Sequence, residues 1–315
     1  MPDAWDRTPI EVQSIDAPLS TAAIFLVVTV APTPDAVAAV RAVLADVGGL
    51  VRTVGFRDLK GRLSCVVGIG SDAWDRVTGL ARPAQLRPFV AVTGSAHTAP
   101  STPGDLLFHI RADRPDMCFE FERLLLAALG DAVSVVDETP GFRYFDSRDL
   151  LGFVDGTANP TGPDMLAWTA VADDPVYNGG SYVVAQKYVH DLDAWSRLGT
   201  EMQEAIMGRT KPDNVELDDA PSGQKSHKTL ATIVDEEGTE HDILRDNMPF
   251  GRPGSGEFGT YFIGYARDLW VIERMLSRMF IGDPPGAYDR MLDVSTAVTG
   301  GTFFAPPSSV LDSLA

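Results

Sequence analysis

The amino-acid sequence predicts an α+β fold made of two successive halves, each an antiparallel sheet flanked by helices. Three observations carry that prediction. Residues 20–145 show strand, helix and strand patterning twice over, with period two giving way to helical spacing and back. A loop over 146–179, rich in Gly, Pro, Asp and Asn, interrupts the pattern. After it the same order of elements begins again and closes near residue 305. Strand–helix–strand units joined by antiparallel pairing make the split βαβ, ferredoxin-like arrangement. The expected division is an N-terminal arm over 1–19, a first ferredoxin-like domain over 20–148, a second over 149–306, and a short tail over 307–315.

The first half opens with a strand over 21–30, an apolar run too short to span a bilayer. Residues 32–47 carry helical spacing (Ala36, Val37, Val40, Val43, Leu44) and reach Gly48-Gly49, a candidate C-cap. Strands are expected over 51–56 and 63–69 around a Lys60-Gly61 turn, then a helix over 72–80 with Asp72 as N-cap. The stretch 105–111 reads as a strand with Leu106, Phe108 and Ile110 on one face and His109 with Arg111 on the other. Pro115 opens a helix to Leu129, and 132–145 returns as a strand. In the second half the expected elements are a strand over 180–190, a helix over 191–207, a hairpin within 226–251, a strand over 259–265, a helix over 269–280 and a closing strand over 301–305.

Composition narrows the function. The chain has 315 residues, 44% hydrophobic and 22% charged, as in ordinary globular proteins. Its 26 basic and 44 acidic residues give a net charge of −18, which repels nucleic acid and anionic membrane surfaces. The two cysteines, Cys65 and Cys118, sit in apolar surroundings and read as inert buried thiols. The acidic N-terminus lacks the basic start of a secretory leader, so the expected location is the cytoplasm.

Two stretches stand out chemically. Within 226–251, two extended segments are expected to flank an Asp235-Glu236-Glu237-Gly238 turn. Alternation then places His241, Ile243, Arg245 and Asn247 on one face, with His227 near the start of the partner segment. Such an imidazole and guanidinium suit a bound cofactor with a ligand on one side and a charge stabiliser on the other. They suit a surface hairpin as well. The second stretch, GFVDGTANP (152–160), lies where the halves join. Its Gly and Asp residues permit a tight loop that brings a carboxylate close to a ligand, or an ordinary turn.

Taken together, GFVDGTANP, GDLLFHIRA (104–112), IMGRTK (206–211), the His227 segment, HDILRDNMPFG (241–251) and GTYFIGYA (259–266) resemble the dye-decolourising peroxidases, most closely the bacterial B-type group. The resemblance runs in order from residue 21 to 306. It implies haem b (iron protoporphyrin IX) held mainly by the second domain. It also implies hydrogen peroxide and a reducing co-substrate as reactants, with a ferryl porphyrin-radical intermediate that oxidises dyes, phenolics or other one-electron donors. On the same analogy His227 matches the axial iron ligand and Asp155 the distal carboxylate. Arg245 and Asn247 match the distal Arg and Asn. Asp289 matches the carboxylate that accepts a hydrogen bond from the axial imidazole. Arg209 of IMGRTK has two readings, a partner for a haem propionate or a solvated helix-end cation. The resemblance further implies a homo-oligomer. Some relatives dock inside a protein shell through a long C-terminal extension, and the short run after the last strand speaks against that partnership here.

In chemical terms an acid can move a proton between the two peroxide oxygens, a guanidinium can stabilise the charge that develops, and Asn247 can orient water or either group. Dyes are too bulky for such a pocket, so their oxidation is expected at the haem edge or through aromatics of the second half: Tyr177, Tyr188, Trp195, Trp270 and Tyr288. His97, His109, His190 and His241 lack metal-ligand spacing and are expected to be structural or exposed. Three rivals stay open. They are a haem carrier or haem-iron supplier, which needs no distal acid, a different haem reaction on a related fold, and a haem-free interaction module.

Overall fold

The computed structural model describes residues 12–219 and 223–315. Residues 1–11 of the expected arm lie outside the described residues. The rest of the arm packs: Ile15 is buried, and the Gln13 amide bonds both the N–H and the C=O of Val67 and the C=O of Pro306, at 2.8–2.9 Å.

In the first half, β1 (Ala22–Val30) is followed by α1 (Pro34–Ala45), α2 (Val47–Gly55), β2 (Ser64–Gly70) and α3 (Ser71–Thr78). A small ribbon of β3 (Val92–Thr93) and β4 (Thr98–Ala99) leads to β5 (Leu106–Ala112), α4 (Pro115–Leu129) and β6 (Val133–Phe142). The four long strands lie in the order β2-β5-β1-β6, all antiparallel, which is the split βαβ topology. Three local expectations are corrected. Residues 51–56 belong to a helix, because Val47, Leu50, Val51 and Val54 repeat at helical spacing and Val47 and Val54 turn into the core. The helix α1 ends at Asp46, so Gly48-Gly49 lies inside α2. The N-cap of α3 is Gly70.

The second half contains α5 (Pro163–Thr169), β7 (Ser181–His190), α6 (Leu192–Ser196), α7 (Thr200–Met207) and α8 (His227–Ala231). Then come β8 (Ile233–Val234), β9 (Glu240–His241), β10 (Leu244–Arg245), β11 (Met248–Arg252), β12 (Glu257–Ala266) and α9 (Leu269–Phe280). The chain finishes with β13 (Ser295–Ala297), β14 (Gly301–Ala305) and α10 (Ser308–Asp312). The helix expected over 191–207 is two: the first ends at Ser196 with Arg197 as C-cap, and Gly199 is the N-cap of the next. The expected hairpin survives only around its turn, where β8 pairs β9. Ahead of it Ser226 caps α8 by accepting from Thr229 N, so His227 stands on a helical turn and not on paired backbone. Beyond it β10 and β11 pair with β12.

The two halves do not keep separate sheets. Strand β14 pairs β2 at Phe303↔Gly70 and Phe304↔Ile69, making one continuous antiparallel sheet ordered β10-β12-β7-β14-β2-β5-β1-β6. Its far ends approach each other: a Cβ on Gly141 of β6 would lie 2.7 Å from Met248 Cβ of β11. The sheet is therefore buried on both faces. One carries Trp74, Phe108, Phe121 and Phe304 under the helices. The other carries Phe25, Tyr261, Tyr265 and Phe303. The final residues form α10, where Leu311 and Leu314 are buried and Arg41 of α1 donates to Leu314 O. Among the described residues no helix is long and apolar enough to cross a membrane.

Candidate active site

A cavity of about 750 Å³ opens in the second half, and all its lining residues lie between Asp149 and Met291. That volume falls in the range of small-molecule and cofactor sites. Phe262 of β12 and Ile272, Met275, Leu276 and Met279 of α9 form an apolar wall, supplied by the inward stripe of an amphipathic helix.

On α8, His227 lines the cavity, and its Nδ1 lies 2.6 Å from Asp289 Oδ2. Asp289 is wholly buried. It also caps the turn that follows it, its Oδ1 accepting from Met291 N at 3.0 Å. Burial opposes the charged form of His227, but the charge and hydrogen bond of Asp289 carry its pKa above the ordinary value. The His227 side chain keeps 29% of its surface accessible, and its Nε2 has no hydrogen-bond partner among the described residues. His190 also lines the cavity, but Ser295 and Thr260 hydroxyls hold both its ring nitrogens, and burial pushes its pKa down to about 4. His97, His109 and His241 are engaged with Asp293, Tyr265 and Asp235.

The linker brings Asp155 to the same cavity. Gly152 and Gly156 adopt φ of +94° and +77°, a region that side chains rarely tolerate, so the tight turn on each side of Asp155 requires glycine. Trp195 Nε1 donates to Leu151 O at 2.9 Å, and Asp149 Oδ1 accepts from Phe153 N at 2.9 Å, fixing the loop from beneath. The Asp155 carboxylate accepts from Gly156 N at 2.7 Å and from Asn247 Nδ2 at 3.1 Å. Asn247 Oδ1 in turn accepts from Ile263 N at 3.2 Å, which sets its amide orientation.

Arg245, at the end of β10, lines the cavity with no hydrogen bond or ion pair to its guanidinium among the described residues. Burial lowers its pKa, opposed by Asp155 and Asp242. A half-buried cation without a protein partner is costly and points to a ligand. The Arg245 backbone is held by Asn159: its N donates to Asn159 Oδ1 at 2.9 Å, and its O accepts from Asn159 Nδ2 at 2.7 Å. A second, much smaller cavity of about 40 Å³ reaches Asp155, Gly156, Arg245 and Asn247 from another side, past Leu19, Ser20, Tyr144 and Ser147.

The structure thus gathers Asp155, Arg209, His227, Arg245 and Asn247 around one cavity, with Asp289 behind His227. Arg209 is already engaged, Nη2 with Glu216 at 2.6 Å and Nη1 with Asn214 O at 3.3 Å. Lys225, Lys228 and Arg278 line the same cavity and were not singled out by sequence, since surface cations carry no pattern. Asn159 was likewise missed, although it stands inside GFVDGTANP. Of the five aromatics considered as surface relays, Tyr177, Tyr188 and Trp195 are buried, because their rings fill the core; Trp270 and Tyr288 retain some exposure. The donor set fits an iron porphyrin: a free imidazole nitrogen backed by a buried carboxylate, an apolar wall, and cations that can meet carboxylates.

Comparison with known proteins agrees. Family models for Dyp-type peroxidase match both halves, the N-terminal one over residues 13–143 and the C-terminal one over 146–310. The chain is 56% identical over 301 residues to a dye-decolorizing peroxidase of Mycobacterium tuberculosis, covering 95% of this chain and 89% of that protein. A variant of Rhodococcus jostii RHA1 DypB solved in complex with haem superposes with a TM-score of 0.93 at 56% identity, covering 97% of this chain and 99% of that one. The encapsulated DyP-type peroxidase of Mycobacterium smegmatis gives 0.93 at 53% identity, covering 96% and 98%. With both family models and these relatives in agreement over nearly the whole chain, the chain belongs to the Dyp-type peroxidases, in the bacterial B-type group of DypB.

Proposed function

We propose that the large cavity binds haem b, which His227 Nε2 would hold through its iron, and that the protein reduces hydrogen peroxide using dyes, phenolics or other one-electron donors. One observation carries this reading: the single cavity holds a carboxylate-backed imidazole with a free nitrogen and, supplied by other elements, a carboxylate and an unpaired guanidinium. When bound, haem supplies an iron coordination position for peroxide and stores the oxidising equivalents.

The protein's own groups do the rest. Asp289 holds His227 with Nδ1–H directed at the carboxylate, leaving Nε2 for the metal and making the imidazole more electron-donating. Asp155 takes the proton from one peroxide oxygen and returns it to the other. Asn247 holds that carboxylate in place. Arg245 stabilises the negative charge on the departing oxygen, helped by the low dielectric of a buried site. Arg209, Lys225, Lys228 and Arg278 are the candidates to meet the haem propionates, with Arg209 exchanging its contact to Glu216. Haem binding belongs to 149–306, which supplies every lining residue of the cavity; 20–148 braces it, and this division at 148/149 is part of the proposal.

A cytoplasmic location completes the reading, supported by free, buried Cys65 and Cys118, and the kinship with the B-type group adds a homo-oligomer. The test is stopped-flow mixing of the ferric haem protein with peroxide. A rapid Soret change is expected in the wild type, and Arg245→Leu should lower its rate constant about 10²–10³-fold while retaining haem. A haem carrier would show no such step, and a haem-free module would purify without colour.

A further inference from the structure

We propose that Asn159 is a positioning residue for peroxide activation: its side chain fixes the separation of the Asp155 carboxylate and the Arg245 guanidinium. This rests on the reading of the site given above. Among the described residues strand β10 is the outer edge of the sheet, paired only with β12 through Leu244↔Tyr265 and Arg245↔Gly264. The N–H and C=O of Arg245 point away from β12, where a further strand would pair. Asn159 takes that place, accepting from Arg245 N at 2.9 Å and donating to Arg245 O at 2.7 Å. One amide side chain thus reproduces a rung of an antiparallel ladder.

The same residue belongs to the acid-bearing loop. Its backbone N donates to Gly156 O at 3.2 Å, closing the turn that begins at Gly156, next to Asp155. Pro160 follows and is buried, and a residue before proline is restricted to extended backbone, so the amide projects from a stiff base. Asp155 and Arg245 are 90 residues apart in sequence and share no ion pair among the described residues. Asn159 links their backbones directly, while Asn247 reaches Asp155 through a bond of 3.1 Å. Removing the Asn159 side chain leaves the edge at Arg245 to water and frees the loop to drift relative to the guanidinium. A displacement near 1 Å at such a pair is worth about 10²-fold in rate.

The test uses the haem-loaded protein. Asn159→Ala is expected to lower the rate constant with peroxide about 10²-fold. Cyanide affinity should weaken about tenfold by the same loss of a positioned donor. The rate at which a dye reduces the peroxide-oxidised protein should not change, because Asn159 touches no donor site. Combined with Arg245→Leu, Asn159→Ala should add no further loss, since it acts through that side chain. Wild-type peroxide rates in Asn159→Ala alongside a slow Arg245→Leu overturn the proposal and leave the site reading intact. A fully additive double variant overturns it too. Wild-type rates in Arg245→Leu instead overturn the site reading. Amide hydrogen exchange then still decides the clamp: Arg245 N–H should exchange faster in Asn159→Ala and stay protected in Asn159→Asp, which keeps the acceptor and also serves if the alanine variant fails to fold. Unchanged exchange in Asn159→Ala overturns the clamp.

Discussion

Asp289→Asn isolates the contact behind the His227 imidazole. The substitution keeps size and the acceptor that caps Met291 N, and it removes the charge facing His227 Nδ1 at 2.6 Å. Asp289 is fully buried, so solvent does not screen the interaction. A charge-assisted hydrogen bond of this kind is worth about 1.5–3 kcal/mol. If it favours the ferric over the ferrous state by that amount, its loss raises the one-electron potential by roughly 60–130 mV, at 59 mV per tenfold change. The assay is spectroelectrochemical titration of the haem-loaded variant, with haem transfer to an apoprotein acceptor as a second readout. Transfer should accelerate about 10–100-fold, the usual cost of losing a partner behind a ligand. A fully loaded variant whose potential and haem release both match the wild type would refute the reasoning, because His227 would then be insensitive to the carboxylate or would not be the ligand.

Other predictions follow from the same geometry. Burial pushes the Asp149 carboxyl up to about 7, against the Phe153 N–H that favours its charge, with Asp155 adding to the rise. A folded pKa raised above 3.8 means that stability is lost as pH climbs from about 4 through 7. At 1.36 kcal/mol per pH unit the loss is at most ~4 kcal/mol, and cavity water reduces it to about 2. Asp149→Asn should therefore melt above the wild type at pH 8 and alongside it at pH 4, as read by calorimetry; equal melting at both would dismiss the buried charge. Arg111→Met leaves Asp246 buried without its 2.7 Å partner and should cost about 3–5 kcal/mol in denaturant unfolding. Leu19, whose Cδ1 would lie 3.8 Å from a Cβ on Gly156, borders the small cavity. If ligands enter there, Leu19→Trp should slow cyanide binding and release alike and leave the dissociation constant unchanged, whereas unaltered kinetics would close that route.

What could be read in advance follows how local the physics is. Strands β1, β5 and β7 and helices α4 and α9 announce themselves by period and by Pro115 or by a continuous apolar stripe. The α2 segment misleads because valines at 51 and 54 favour strands and two glycines suggest a stop, while the i, i+3, i+4, i+7 spacing from Val47 decides the outcome through burial. Helix α8 has five residues and no stability of its own; the cap at Ser226 and its packing against α9 create it. The merging of two sheets at Phe303↔Gly70 joins residues 233 apart, and no periodicity foretells it. The site divides the same way. Alternation alone put Arg245 and Asn247 on one side. The His227–Asp289 contact, spanning 62 residues, came within reach only through the resemblance.

The continuous sheet also explains why a half that lines no part of the cavity is still needed. Arg245 and Asn247 flank Asp246, whose side chain turns the opposite way and is 2% exposed. There it meets Arg111 of β5, across the interior face shared with Phe25, Tyr261 and Tyr265. The three residues 245–247 are thus held at the back by an ion pair from the first half and at the edge by Asn159 from the linker. Ile263 of β12 supplies a third hold, its O accepting from Asp246 N and its N bonding Asn247 Oδ1. Donors that are to stabilise charge at this cavity need to be fixed before a reactant arrives, because reorganisation at the moment of reaction would consume the stabilisation they provide. Closure of the sheet at β14–β2 brings Arg111 into range, so the pairing at Phe303 and Phe304 is as much a part of the active site as the residues that line it.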